Sequence, residues 1–201
     1  VSDGTATDEQ SFTITVANTN DAPIFSDPPT TAKETNEDAA YSFTVTAADV
    51  DLGNTLTFAA TTLPTWLTFV EDTQVLSGTP DNSHVGNHTV TLIVSDGVES
   101  VTLTFTIRVI NTNDPPVLDT PKTAAIGHPS ASVPYSHTFT ATDNDAGDDT
   151  FTFAVTTKPT WLSFDGTATL SGNPTHEDEG GTVSVTLSDG NVEVNTSFTI
   201  T

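Results

Sequence analysis

Leu103-Thr104-Phe105-Thr106-Ile107-Arg108-Val109 puts an apolar side chain at every second position and a hydroxyl or a charge between them. A period of two belongs to a strand with one buried face, whereas a helix would repeat its apolar residues three and four apart. Val94-Ser95-Asp96-Gly97 lies just upstream, and Asn111-Thr112-Asn113-Asp114-Pro115-Pro116 just downstream. Asp-Gly is a preferred hairpin turn. The prolines stop the strand and bias the residue before them to extended backbone. The local plan is strand, tight turn, strand, polar joint.

Every piece of that plan recurs. Val-Ser-Asp-Gly begins at Val1 and Val94 and Leu-Ser-Asp-Gly at Leu187, each step being 93 residues. The joint occurs earlier as Asn18-Thr19-Asn20-Asp21-Ala22-Pro23. Pro-Thr-Trp-Leu returns at Pro64 and Pro159, Leu-Ser-Gly at Leu76 and Leu170, and Tyr-Ser at Tyr41 and Tyr135. Self-similarity at such a period decides the architecture before any single element does. It divides the chain into the last strand of a preceding repeat (1–17), one repeat (18–110) and a second (111–201). Val1 falls inside a repeat, so the expectation is a piece of a longer array.

Within the first repeat the alternation predicts seven strands, near 24–33, 40–48, 55–60, 65–70, 74–77, 88–95 and 100–110. Asp51-Leu-Gly, Ser77-Gly and Asp96-Gly97 read as turns. The second repeat opens with strands near 117–126 and 134–142, and its acidic turn is longer, through Asp148 and Asp149. Seven short strands in about 93 residues fit an immunoglobulin- or cadherin-type sandwich. The fold class is therefore all-β, as tandem Ig/cadherin-like seven-stranded β-sandwiches. In residues 1–17 a lone strand, Ser11–Val16, would carry Phe12, Ile14 and Val16 on one uncovered face. It is expected to pair with an exposed sheet edge, in this chain or by strand exchange with a neighbour.

Composition narrows the function. The 201 residues carry 4 Lys and Arg against 27 Asp and Glu, a net charge of −23. Nucleic acid and anionic membrane both demand a basic surface, so neither is a partner. The regular period argues against an acidic disordered chain, which leaves bound cations or salt to neutralise the charge. No cysteine is present, so disulfides and thiolate sites are excluded. No apolar run approaches the ~20 residues of a membrane helix. The residue types suit a secreted or cell-surface protein of bacterial style.

Asp49-Val50-Asp51-Leu52-Gly53-Asn54 and Asp143-Asn144-Asp145-Ala146-Gly147-Asp148 hold the same repeat position. Alternate Asp residues in a turn can aim carboxylates at one point, and Ca²⁺ takes 6–8 oxygens at about 2.3–2.6 Å. The glycine falls one place early for an EF-hand, and no Glu closes the loop. An ordinary Asp/Gly turn is the competing reading, as it is for Asp96-Gly97 and Asp189-Gly190. The joint alone cannot complete a calcium shell, so further oxygens must come from the repeats on either side. Trp66 and Trp161 each stand between proline and an apolar strand, which suits a core Trp better than a sugar platform. The five histidines (His84, His88, His128, His137, His176) do not recur at matched positions. Acidic pairs in crowded turns suit cation binding better than acid–base catalysis. No enzyme is expected.

The joint "NTNDAPIF" resembles the linker of cadherin repeats, and "VTAADVDLGN" and "FTATDNDAGD" resemble the cadherin Asp-x-Asp segment. "VSDG" is similar to the cadherin Ala-x-Asp-Gly stretch, and the series "PTWLTF…LSGTP…VSDG" looks like the dystroglycan-type cadherin-like and Ig domains of large bacterial surface proteins. The resemblance covers the whole chain. It implies Ca²⁺ at the 111–114 joint, held by Asn111, Asn113 and Asp114, with Asp143, Asp145 and Asp189 from the following repeat. Glu34 or Glu37, with Asp81, would come from the preceding one. At the 18–21 joint the implied ligands are Asn18, Asn20, Asp21, Asp49, Asp51 and Asp96. The chain departs from the pattern in places. Asn opens the joint instead of Asp, and Thr79-Pro80-Asp81-Asn82 replaces Leu-Asp-Arg-Glu. His128 and Thr175 stand where the first repeat has Glu34 and Asp81. One or two ions per joint are expected.

The implied role is a Ca²⁺-stiffened stalk or adhesion module of a bacterial surface protein, with like domains as homophilic partners. The alternative is a carbohydrate-binding accessory module of a secreted polysaccharide-degrading enzyme, with polysaccharide as partner. Buried Trp66 and Trp161 favour the stalk, and an exposed aromatic platform the alternative.

Overall fold

A computed structural model describes residues 1–29, 33–119, 134–145, 150–175 and 177–201. The expected acidic residues Asp148 and Asp149 and the histidines His128 and His176 lie outside the described residues, as does most of the strand expected at 117–126.

The first repeat is built from β1 (Ile24–Phe25), β2 (Lys33–Asn36), β3 (Tyr41–Thr44), β4 (Ala47–Ala48), β5 (Thr57–Thr62), β6 (Leu67–Val70), β7 (Val75–Gly78), β8 (Gly86–Ser95) and β9 (Ser100–Ile110). One sheet has the order β3-β7-β6, the other β2-β9-β8-β5, and β1 pairs with β4. In this repeat the strands expected at 24–33 and 40–48 are each divided. The 40–48 strand breaks at Val45-Thr46, so that β3 lies against β7 while β4 lies against β1. One strand thereby serves two sheets, as strands at sandwich corners do. Alternation is sharpest in β8, where Val90, Leu92 and Val94 point inward and are almost wholly buried. Leu76, Phe105 and Ile107 are buried as well.

The second repeat runs β10 (Val117–Asp119), β11 (Tyr135–Thr138), β12 (Thr140–Thr142), β13 (Thr152–Thr157), β14 (Leu162–Phe164), β15 (Thr169–Gly172), β16 (Gly181–Ser188) and β17 (Glu193–Ile200). Its sheets are β11-β15-β14 and β13-β16-β17, with β10 paired to β12. Leu162, Leu170, Val183, Val185, Leu187 and Ile200 form the centre of its core. The repeats agree in detail, for both carry a register shift on the same strand, between Ala60 and Thr62 and between Val155 and Thr157.

Gly78, read above as a turn signal, and its counterpart Gly172 have another role. Gly78 and Gly172 end their strands, and neither backbone is left-handed. A Cβ on Gly78 would lie 2.0 Å from the Trp66 carbonyl oxygen, and one on Gly172 2.4 Å from that of Trp161. The tryptophan backbone lies directly on the glycine.

The expectation for residues 1–17 is corrected within this chain. Val1–Asp8 closes on itself, with a bridge between Ser2 and Thr7 and the Asp8 N–H donating to the Val1 carbonyl at 2.8 Å. Ser11–Val16 forms no strand, and Phe12, Ile14 and Val16 are 83%, 76% and 87% exposed. Alternation specifies which face a strand buries, but an isolated strand needs a ladder partner to form at all.

Contacts divide the chain into two compact units. One comprises Val1–Glu34, Ala40–Thr79 and Asn87–Arg108; the other comprises Thr35–Ala39, Pro80–Gly86 and Val109–Thr201. Thr35–Ala39 and Pro80–Gly86 therefore group with the 111–114 joint, although their sequence belongs to the first repeat.

Candidate cation site

The 18–21 joint is tied to the acidic turns of its own repeat. Asn18 Nδ2 donates to Asp51 Oδ1 at 2.5 Å, Asn20 Nδ2 to Asp96 Oδ2 at 2.9 Å, and the Asp21 N–H to Asp51 Oδ2 at 2.7 Å. Asp49 turns its own loop by accepting from the Asp51 N–H at 2.7 Å. Asp51 and Asp96 are close enough to feel each other's charge.

The 111–114 joint repeats these bonds residue for residue. Asn111 Nδ2 donates to Asp145 Oδ1 at 2.9 Å, Asn113 Nδ2 to Asp189 Oδ2 at 2.9 Å, and the Asp114 N–H to Asp145 Oδ2 at 2.8 Å. Asp143 accepts from the Asp145 N–H at 3.0 Å. Here Thr35–Ala39 and Pro80–Gly86 add two more ties. Glu37 Oε1 accepts from the Thr112 N–H at 2.5 Å, and Asn82 Nδ2 donates to Asp114 Oδ2 at 3.0 Å.

The turn and ligand readings of Asp96 and Asp189 are compatible, because each carboxylate has two oxygens. Oδ1 of Asp96 accepts from the Val98 and Glu99 N–H groups and so caps the turn, while Oδ2 takes the Asn20 amide. Asp189 does the same with Asn191, Val192 and Asn113. These donors hold both carboxyls below the usual carboxylate range: chiefly the Glu99 N–H for Asp96 and the Val192 N–H for Asp189. Asp51 is lowered too, first by the Asn18 amide and then by the Asp21 N–H.

A depressed folded value gives stability that is complete above the unfolded value, near pH 3.8, and is lost as pH falls through the folded one. The joints should therefore lose these ties only below about pH 4. Carboxyl NMR titration of Asn113→Ala should move Asp189 part of the way back up, since the backbone donors remain. An unmoved Asp189 would mean that the amide contributes nothing.

The residues present fit a hard cation. Glu37 is 2% exposed and is the one buried charged side chain among the described residues. Its Oε2 has no hydrogen-bond partner, and the same is true of the buried Oδ2 atoms of Asp143 and Asp49. An anionic oxygen withdrawn from water without a donor is costly, and a carboxylate oxygen can be satisfied by a metal as well as by an N–H. Among the described residues no three Asp, Glu or His side chains already converge as a metal cage; amide and backbone donors hold the carboxylates instead.

Not every expected residue reaches the joint. Glu34 pairs with Arg108 at 3.2 Å, both side chains half-exposed. Of Glu34 and Glu37, Glu37 is the one hydrogen-bonded to the joint. Asp81 caps the short 3-10 turn Asn82–His84, accepting from the Ser83 N–H and lying 2.8 Å from His84 Nδ1. Its neighbour Asn82 makes the tie to Asp114. Sequence reasoning missed Asn82 and also Asn191, whose amide donates to Asn113 Oδ1 at 2.6 Å. An available signal was that Asn191 stands where the first repeat has Val98. Trp66 is buried and edge-on to Tyr41 and His88; Trp161 is half-buried, with Nε1 donating to the Glu179 carbonyl at 3.2 Å. His84 and His88 thus face different partners.

Residues 22–110 and 115–201 each match the family model described as Putative Ig domain. The Staphylococcus aureus (strain MRSA252) protein named Serine-rich adhesin for platelets is 38% identical over 126 residues, 61% of this chain and 9% of that protein. The chain thus spans less than a tenth of the length of the curated relatives it matches. Human protocadherin-24 EC1-2 superposes with a TM-score of 0.57 at 16% identity, over 90% of this chain and 97% of the other, a likeness of fold. The endo-fucoidan hydrolase MfFcnA4 from glycoside hydrolase family 107 gives a TM-score of 0.43 at 25% identity, over 89% of this chain and 28% of the other.

Proposed function

We propose, for a chain that belongs to the Putative Ig domain family, the role of a Ca²⁺-stiffened stalk or adhesion module at the cell surface. The observation that carries this reading is buried Glu37, bonded through Oε1 to the linker and unpartnered at Oε2. Glu37, Asp114, Asp143 and Asp145 would hold the ion, with Asp189 and the Asn111 and Asn113 amides around them. A bound Ca²⁺ supplies divalent charge and a 6–8-oxygen shell. The chain's own part is to bring Thr35–Ala39, the 111–114 joint and the acidic turns to one place. With their charges neutralised, repulsion among them falls and the linker loses hinge freedom. At the 18–21 joint Asp21, Asp49, Asp51 and Asp96 form the matching set. The adhesin name of the staphylococcal relatives supports a cell-surface setting and an adhesive partner. Buried Trp66 offers no exposed aromatic platform, which weighs against the carbohydrate alternative.

Thermal unfolding in EDTA and in millimolar Ca²⁺ tests this, with Asp143→Ala plus Asp145→Ala as comparison. At about ten times Kd one site adds roughly 1.4 kcal/mol, or about 5–10 °C for a domain of this size. A shift of that order that disappears in the double variant supports the reading. An unaltered midpoint, or a shift the double variant retains, sinks it.

A further inference from the structure

Phe43 and His137 occupy the same repeat position, in Tyr41-Ser42-Phe43-Thr44 and Tyr135-Ser136-His137-Thr138. In the first sandwich the Phe43 ring meets Phe105 with centroids 6.2 Å apart. In the second, His137 takes that place, 6.4 Å from Phe198 and 5.2 Å from Phe139, and opposite Leu170 in the ladder. Phe139, Phe198 and Leu170 all belong to the core. The ring is half-buried, and its Nε2 is buried without a hydrogen-bond partner among the described residues.

A neutral imidazole is tolerated among aromatic rings, but an imidazolium in the same place forfeits part of its hydration, and its buried Nε2–H gains no acceptor among the described residues. Asp119 on β10 is the charged group whose field reaches the ring, and it favours the proton. Its carboxylate is also shared with Thr140, whose Oγ1 donates at 3.3 Å. From β11's other neighbour, β15, the ring faces the apolar Leu170.

We infer that His137 is an acid-sensitive wedge in the second sandwich: its protonation loosens the packing on Phe139 and Phe198, a device the first sandwich lacks at this position, where it carries Phe43. Burial holds the imidazole below its ordinary value of 6.5, against the smaller upward pull of Asp119. The unfolded chain therefore takes up its proton first. Stability is complete above the unfolded value and declines as pH falls from there toward the folded one. The device is independent of any cation, and acidification is its effector.

The two tryptophans make the test local, because Trp66→Phe leaves Trp161 as the sole reporter of the second sandwich. In EDTA, the Trp161-reported midpoint should fall by about 2–5 °C between roughly pH 7.5 and pH 5.5. With His137→Phe added it should stay level, the first repeat showing that phenylalanine fits this position. His137→Gln, which does not titrate, should also be level and serves if the Phe variant folds poorly. An equal fall in these variants would overturn the inference. So would an imidazole NMR titration of His137 at or above the ordinary value.

Discussion

Gly78→Ala should unfold the first sandwich about 10–20 °C below the unaltered chain. The added methyl would lie 2.0 Å from the Trp66 carbonyl oxygen and 3.1 Å from its ring carbon Cε3. Neither side can yield cheaply. β7 is paired on both edges, Gly78 facing Tyr41 on one side and Leu67 on the other. Trp66 is itself buried beside Leu67. Overpacking of this kind costs about 1–3 kcal/mol, and more when backbone must move. Gly172→Ala should repeat the effect in the second sandwich, where the clash is 2.4 Å with the Trp161 oxygen and 2.9 Å with its Cε3. Gly181→Ala is the control, since its new methyl would meet only the Pro159 ring, at 3.3 Å. A midpoint change of a degree or two for all three would show that the tryptophan–glycine contact is not tight.

Glu37→Gln should separate the two states of the joint. The amide oxygen can still accept from the Thr112 N–H, and the buried charge is gone. Without cation the variant should be more stable by about 1–3 kcal/mol, because burying an unpaired carboxylate costs more than burying an amide. With Ca²⁺ it should lose the gain seen in the unaltered chain. A gain in EDTA together with a lost response to Ca²⁺ would not arise from a merely structural glutamate, whose removal would destabilise in both. Thermal unfolding in the two buffers reads both effects in one experiment.

Much of this was legible in the chain itself. The 93-residue step, the period of two in Leu103–Val109 and the Asp-Gly turns are local properties, so they specified strands, turns and repeat count. The joint and its acidic turns were legible as well, because their closely spaced oxygens and amides stand in short repeated motifs. Other features depended on neighbours distant in sequence. Gly78 looked like a turn residue because glycine signals turns locally; the Trp66 backbone packed on it belongs to another strand. Glu34 and Glu37 could not be told apart, being three residues apart with the same chemistry; in the fold Glu34 meets Arg108 and Glu37 the Thr112 N–H. Ser11–Val16 has the alternation of a core strand, yet alternation only names the face to be buried, and a ladder must be supplied by other strands.

The sequence by itself therefore determined the all-β class, the two tandem repeats and the candidate ligand chemistry, each of which is written in residues close together along the chain. Tertiary structure alone decided that Glu37 is the buried, half-satisfied carboxylate, that Asn82 and Asn191 brace the joint, and that His137 sits in a core position. Burial and hydrogen-bond satisfaction are properties of what surrounds a side chain, and those surroundings come from strands up to 78 residues away.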